Sequence, residues 1–406
     1  MKYINIHIIL MLMFVAALTG CEQKILFDDD KNEHIYQLPE NGYIFFNSAI
    51  SNNTRGSLIT TPYLQQDFGV IGYQWDYTDA NANWETQEQI KPNLFANTHQ
   101  QVTYANNIHS YTPIKKWETG KRYAFFAYYP YSNSAIVVSG ADVEHTPYLT
   151  YTLPTDPDPT DPTDPAYMID IMTASAIDMD YSSSQGGIVN LAFKHRLSAI
   201  DVQMLNLNDP YLTGEDKLPV YIKVTNMNIK FENLRYDKAK LYIDNTIPGH
   251  SDEFTTNGPV EQNYILFTEL TEQIPPVETG ANVTYVTSGN PLIVIPQTAE
   301  DESFTGDTKY KEFLNGTLSF NYQYLIKNTD GTYSNKTSEL KTNDEGGYKG
   351  EGENGYIERK IEFNISRDLL PGRRYTLLLT FTRNATTIDI LKDGDWEDHR
   401  SEITFE

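Results

Sequence analysis

Cys21 is the only cysteine in a chain of 406 residues, and it stands at the end of Leu18-Thr19-Gly20-Cys21, directly behind an apolar stretch from Ile4 to Leu18. Its thiol is nucleophilic enough to be thioether-linked to a diacylglyceryl group, and small residues before it let a peptidase reach the preceding bond and free an amine for further acylation. With no second cysteine there is no disulfide within the chain and no cysteine-rich zinc cluster. A second reactive feature is Arg55, the first arginine of the chain, in the polar run Ser51-Asn52-Asn53-Thr54-Arg55-Gly56-Ser57. An exposed, extended arginine in such a loop is what a trypsin-like protease cleaves after. His195, in Phe193-Lys194-His195-Arg196-Leu197, lies between two strand segments and is expected at a turn or sheet edge, with no carboxylate or nucleophile tied to it by sequence. Asp393-Gly394-Asp395-Trp396-Glu397-Asp398 has the residue types of a metal site or an acid pair, but carboxylates so close together in a turn are expected to be solvated. Gly-x-Ser-x-Gly, a phosphate-binding glycine loop and His-Glu-x-x-His are all missing from the sequence. The chain is therefore expected to be no enzyme and to carry no metal or cofactor.

These groups need elements to position them. The stretch before Cys21, with Lys2 ahead of it, has the length of an export signal rather than the roughly 20 residues that span a bilayer, so residues 1–20 are read as a cleaved signal peptide. Residues 21–35, with acidic Asp28 to Asp30, are read as a lipidated tether to an outer membrane. A formal charge of -24, with no run of cations longer than a pair, excludes nucleic acid as a partner.

Beyond the tether, period-two alternation dominates. Tyr375, Leu377, Leu379 and Phe381 alternate with Thr376, Leu378, Thr380 and Thr382; Leu318, Phe320, Tyr322 and Tyr324 alternate with Ser319, Asn321 and Gln323. Each pattern predicts a strand with one buried face. The same holds at 43–46, 123–129, 189–193, 200–204, 220–224, 227–231 and 361–365. Long helical periodicity is nearly missing, so the fold class is all-β, built as β-sandwiches. Twenty-nine tyrosines suit half-exposed strands. The run of prolines and aspartates from Pro154 to Pro165 is an extended, solvated loop whose spacing matches no calcium loop. A second break at Ser182 to Gly187 sets the expected division into domains at 36–185 and 186–406. Gly120-Lys121-Arg122-Tyr123 and Gly372-Arg373-Arg374-Tyr375 echo each other, each a turn glycine, two cations and then an apolar strand.

The sequence resembles the fimbrillins, the lipoprotein pilins also called type V pilins. The resemblance rests on the motif around Cys21, on Trp117-Glu118-Thr119-Gly120-Lys121-Arg122-Tyr123 running into Phe126-Ala127-Tyr128-Tyr129-Pro130, and on Phe193-Lys194-His195-Arg196-Leu197-Ser198-Ala199-Ile200. It rests also on Leu292-Ile293-Val294-Ile295-Pro296-Gln297, and on Leu370-Pro371-Gly372-Arg373-Arg374-Tyr375 with Trp396 beyond it. It implies two tandem transthyretin-like β-sandwich domains in a pilus (fimbria) subunit that contributes to cell adhesion. Further implied are other pilus subunits as partners, a receptor on host or bacterial surfaces, and an arginine-specific protease that removes the lipidated segment with the first strand. Carried onto this chain, Arg55 is the cleavage candidate, and Tyr43, Ile44, Phe45 and Phe46 belong to the groove-filling strand lost with it. Ile388 and Ile390, or Ile403 and Phe405, belong to the donated strand that fills a neighbour's groove. The alternative reading is a surface lipoprotein that binds glycans for nutrient capture, with tyrosine-rich faces as platforms.

Overall fold

The computed structural model describes residues 42–50, 63–78, 83–87, 89–139, 145–153, 169–184, 186–207, 219–255, 260–270, 273–276, 286–287, 291–297, 314–337, 355–365, 368–381 and 386–395. In chain order the strands are β1 (Phe45–Ile50), β2 (Phe68–Asp76), β3 (Gln100–Ala105), β4 (Ile108–Ser110), β5 (Lys121–Tyr129), β6 (Ile136–Val138) and β7 (Tyr148–Thr152). There follow β8 (Met172–Met179), β9 (Ile188–His195), β10 (Ser198–Asn206), β11 (Val220–Leu234), β12 (Lys238–Tyr242), β13 (Glu253–Thr255) and β14 (Val260–Glu269). The last are β15 (Val286–Thr287), β16 (Leu292–Val294), β17 (Leu314–Lys327), β18 (Tyr333–Asn335), β19 (Ile357–Ile365), β20 (Arg373–Phe381) and β21 (Thr386–Asp395). A turn of 3-10 helix, Trp84–Thr86, lies between β2 and β3. The all-β class read from the alternation is what the chain adopts.

Seven strands form one sheet in the order β1-β9-β8-β5-β2-β3-β4. A second sheet runs β15-β10-β20-β21, with β16 also on β10; a third runs β14-β11-β17-β18, with β19 on β17. The fourth, β13-β12-β7-β6, takes two strands from before residue 186 and two from after it, through the β7–β12 ladder. Most neighbours are antiparallel, but β1 runs parallel to β9 and β10 parallel to β20. Parallel partners need long crossovers, and here they are far apart in sequence.

The strongly alternating segments bury as period two demands. On β9 Val189, Leu191, Phe193 and His195 face inward, and the residues between them face out. β20 departs from the one-face expectation: Leu378 and Thr380 are buried along with Leu377, Leu379 and Phe381. β20 lies between β10 and β21 within its sheet, and in its second half, from Leu377 to Phe381, residues of both faces are buried. The segments 220–224 and 227–231 are one long strand, with an irregular register between Thr225 and Asn228 that lets β11 bend without ending. Two clusters form the core. One gathers residues of β1, β2, β3, β5, β8 and β9; the other joins Tyr73, Trp84 and Phe126 to residues of β10, β11, β17 and β20.

Candidate functional site: the first strand and its seat

Strand β1 is Phe-Phe-Asn-Ser-Ala-Ile, β-branched or aromatic at both ends, with small or polar residues in the middle. Ile44, Phe46, Ser48 and Ile50 point inward and are buried, while Tyr43, Phe45, Asn47 and Ala49 are half-exposed. Of the four residues expected to fill the groove, Ile44 and Phe46 are therefore the plugs, and Tyr43 and Phe45 sit on the outer face. Phe46 packs edge-on against Phe125 and tilts against Tyr111, with both centroid distances 5.4 Å. The Ser48 hydroxyl donates to the Leu64 carbonyl at 3.1 Å, which satisfies a polar group that would otherwise cost the fold its desolvation.

Along its length β1 makes its ladder with β9 alone among the described residues, from Phe45 opposite Ile188 to Ile50 opposite Phe193. Asn47 adds a side-chain hydrogen bond to Asn190 at 3.1 Å. Only its entry is gripped from the other side. Ile44 N donates to Lys115 O, and Trp117 N donates to Gly42 O at 2.7 Å. Trp117 Nε1 donates to Gly187 O at 3.2 Å, bridging the turn before β9. The Tyr111 hydroxyl donates to Ile44 O at 3.0 Å and accepts from Lys115 N at 3.2 Å. Burial raises the Tyr111 phenol to about 12 despite the Lys115 amide, which favours its anion. The side chains that grip the entry thus come from the segment leading into the glycine turn at Gly120, which stands at φ +78.

Chain entry is built the same way at the second glycine turn. Gly372, at φ +67, donates its N–H to Leu197 O at 2.8 Å, and the Ser198 hydroxyl donates to Leu370 O at 2.8 Å, holding the start of β10. In both turns a fully buried tyrosine accepts the N–H of the residue five positions earlier: Glu118 N to Tyr123 at 2.9 Å and Leu370 N to Tyr375 at 2.8 Å. The sequence echo is therefore also an echo of hydrogen bonding.

The Lys194-His195-Arg196-Leu197 segment joins the two parts of this frame, and it corrects the sequence expectation. His195 is not at a solvated turn or edge. It is the last inward residue of β9, 2% exposed, with Nδ1 2.6 Å from the Asp170 carboxylate. Alternation along β9, which a look at its polar neighbours hides, carries it inside. Arg196 is buried too, with both Nη2 contacts on Asp252 at 2.6 and 2.7 Å and Nη1 donating to Thr173 and to Tyr242 O at 2.7 Å. Nothing in the sequence pointed to Asp170 or Asp252, because each lies far along the chain from its partner. Asp393-Gly394-Asp395, expected in a turn, forms the end of β21, with Asp395 opposite Arg373 and Gly394 opposite Arg374. The partner strand β20 supplies hydrogen bonds that outweigh the turn preference of Asp and Gly. Among the described residues no three or more His, Cys, Asp or Glu side chains gather to hold a metal ion.

The family model described as fimbrillin-like matches residues 65–396. The chain belongs to the fimbrillin-like family. A fimbrial protein from Bacteroides vulgatus shares its fold, with a TM-score of 0.51 at 20% identity over 88% of this chain and 100% of that one. A candidate cell adhesion protein from Bacteroides uniformis aligns over 88% of this chain and 98% of its own length at 13% identity and a TM-score of 0.37. No curated protein matches the chain.

On this fimbrillin-like frame, Ile388 and Ile390 lie on β21, opposite Leu379 and Leu377 of β20, its one ladder partner among the described residues. Cys21, Arg55, Ile403, Phe405 and the acidic loop from Pro154 to Pro165 lie outside the described residues.

Proposed function

We propose that this chain is a non-enzymatic, adhesive pilus subunit that reaches the cell surface as a lipoprotein through Cys21 and polymerises by exchange of its first strand. A trypsin-like protease cuts after Arg55, β1 leaves, and a strand from another subunit takes its place, drawn from Ile388 and Ile390 or from Ile403 and Phe405. The observation that carries this reading is the seat of β1. Among the described residues β1, with Phe46 and Ile50 buried and the buried Ile44 at its entry, is laddered along only one edge, and in the sequence the first arginine, Arg55, follows it by five residues.

Loss of β1 would uncover the Ile188–Phe193 edge of β9 and the apolar surface around Phe125 and Tyr111, which a replacement strand covers with ladder bonds and alternating plugs. The same reading takes the chain as two sandwich domains in tandem, each opened by a strand entering beside a glycine–tyrosine turn.

The test is limited trypsin digestion of the full chain, with N-terminal sequencing and native gels, in the wild type, Arg55→Ala and Phe46→Ala. The expected outcome is a new N-terminus at Gly56 and heat-labile, detergent-resistant ladders for the wild type, with neither for Arg55→Ala. Phe46→Ala should release β1 faster after the cut, since the truncation of a buried Phe removes about 3–5 kcal/mol of packing. A cut that avoids Arg55, or cleaved chains that never assemble, would sink the exchange reading.

A further inference from the structure

Between the end of β2 and the segment 84–93 lies an open cleft of about 720 Å³, within the roughly 300–1,000 Å³ typical of ligand sites. We propose that this cleft binds a short neutral oligosaccharide, and this supplies the ligand class for the adhesive role proposed above, on which it rests.

The argument starts from how the cleft is framed. Beyond Val70, strand β2 loses its β3 partner, and the outer edge is taken over by the 84–93 segment. Asn93 N and Leu94 N both donate to Gly72 O, at 3.2 and 3.1 Å. The Asn93 side chain then stands in for a neighbouring strand, accepting from Gln74 N and donating to Gln74 O, both at 2.8 Å. This fixes the backbone under Gln74, so its half-buried side chain is presented from a rigid strand rather than a loop.

The chemistry follows from which polar groups the fold itself uses. Asn93 is spent on the β2 edge, and Gln87 donates to the Thr86 hydroxyl at 3.1 Å. Gln74 and Gln89 also line the cleft, and among the described residues their side-chain amides have no hydrogen-bond partner. A primary amide offers a donor and an acceptor side by side, which matches a pair of neighbouring hydroxyls. At the rim Lys121 pairs with Asp76 at 2.7 Å, adding two acceptor oxygens and a cation whose charges cancel. Between these groups the half-buried Ile90 offers one apolar contact for the C–H face of a sugar ring, while Trp75 lies beneath them in the core.

Charge narrows the class. Among the described lining residues the charged pair Asp76 and Lys121 cancels, and the chain carries -24, so sialylated or sulfated glycans meet repulsion. A peptide strand is the other occupant of an open edge, but Asn93 already fills the hydrogen-bonding positions at Gln74. The cleft also lies on β2, separated from β1 in the sheet by β5, β8 and β9, so its variants leave the exchange strand untouched.

The test uses the full chain in a non-glycosidic detergent with lactose, maltotriose and α-mannotriose as neutral probes and 3′-sialyllactose as the anionic arm. The readouts are saturation-transfer NMR and titration calorimetry. At least one neutral probe should receive saturation, and Gln74→Ala and Gln89→Ala should each weaken its binding by about fivefold, the worth of one hydrogen bond. Both variants should keep the wild-type melting temperature and the wild-type response to trypsin. Silence from all three neutral probes, tighter binding of 3′-sialyllactose, or full binding by the Gln74→Ala, Gln89→Ala double variant each overturns the proposal. Saccharide binding by a chain that never forms ladders would leave the cleft standing and remove only the assembly reading.

Discussion

Strands β1 and β10 enter the fold in the same way and are then held very differently. Each starts beside the segment that leads into a glycine turn, and each turn is stapled by a buried tyrosine that accepts an amide five residues back. After that shared entry, among the described residues β1 pairs along one edge only, with β9, whereas β10 pairs with β20 on one side and with β15 and β16 on the other. The start of β10 is further tied down by Arg196, whose charge is matched inside the protein by Asp252. One strand is thus seated at an edge of the described sheet, the other inside its sheet. Opening an edge exposes one row of backbone groups; pulling out a central strand breaks two ladders and strands a buried ion pair.

That contrast breaks most sharply at Arg196. Arg196→Ala leaves the Asp252 carboxylate buried without its cation and should cost about 3–5 kcal/mol, read as a lower midpoint in urea unfolding. If β10 is the locked strand, the loss appears equally in intact chains and in chains cut by trypsin. A loss confined to the intact chain would reverse the assignment of which strand is fixed.

A pH dependence of order 2–3 kcal/mol should distinguish the β1 entry. The Tyr111 phenol has its folded value raised to about 12, against about 10 when exposed, so the contribution is fully present below pH 10 and is lost as pH rises toward 12. Alkaline unfolding followed by circular dichroism should become flatter between pH 10 and 12 in Tyr111→Phe, which has no phenol at that position to ionise. An unchanged alkaline limb in that variant would mean that Tyr111 does not guard the entry of β1.

The two tyrosine staples offer the smallest and finest comparison. The Tyr375 hydroxyl accepts from Leu370 N and also donates to Asp368 O at 2.7 Å, while the Tyr123 hydroxyl accepts from Glu118 N and its ring rests edge-on against Trp117. Tyr375→Phe should therefore cost about 1–2 kcal/mol and Tyr123→Phe about 1 kcal/mol in thermal unfolding. The reverse order would show that the two turns are not the equivalent entries their geometry suggests.

Much of this was legible in the residues. The alternation at Tyr375 to Phe381 and at Leu318 to Tyr324 marked strands; Leu318 to Tyr322 buries one face as that period requires, whereas Leu378 and Thr380 are buried on the second face as well. The glycine–tyrosine echo, only four residues long, marked two turns that hydrogen-bond alike. His195 was hidden because its neighbours Lys194 and Arg196 look like a surface, while the alternation that carries His195 inward continues from Val189. The Asp393-Gly394-Asp395 run was hidden because local turn preference was overruled by a partner strand, β20, that precedes it.

By itself, then, the sequence determined the local periods: which stretches are strands, which face of each is apolar, and where glycines permit the chain to turn at positive φ. It determined also that Cys21 has no cysteine partner within the chain. Which strand lies beside which was decided only by the tertiary structure, since a period of two is the same for an edge strand and a central one. The β1–β9 ladder, the seat of β10 between its neighbours, the Arg196–Asp252 pair and the cleft beside Gln74 all depend on residues brought together from distant parts of the chain. Their energies come from burial and from hydrogen bonds between those distant parts, which no local pattern encodes.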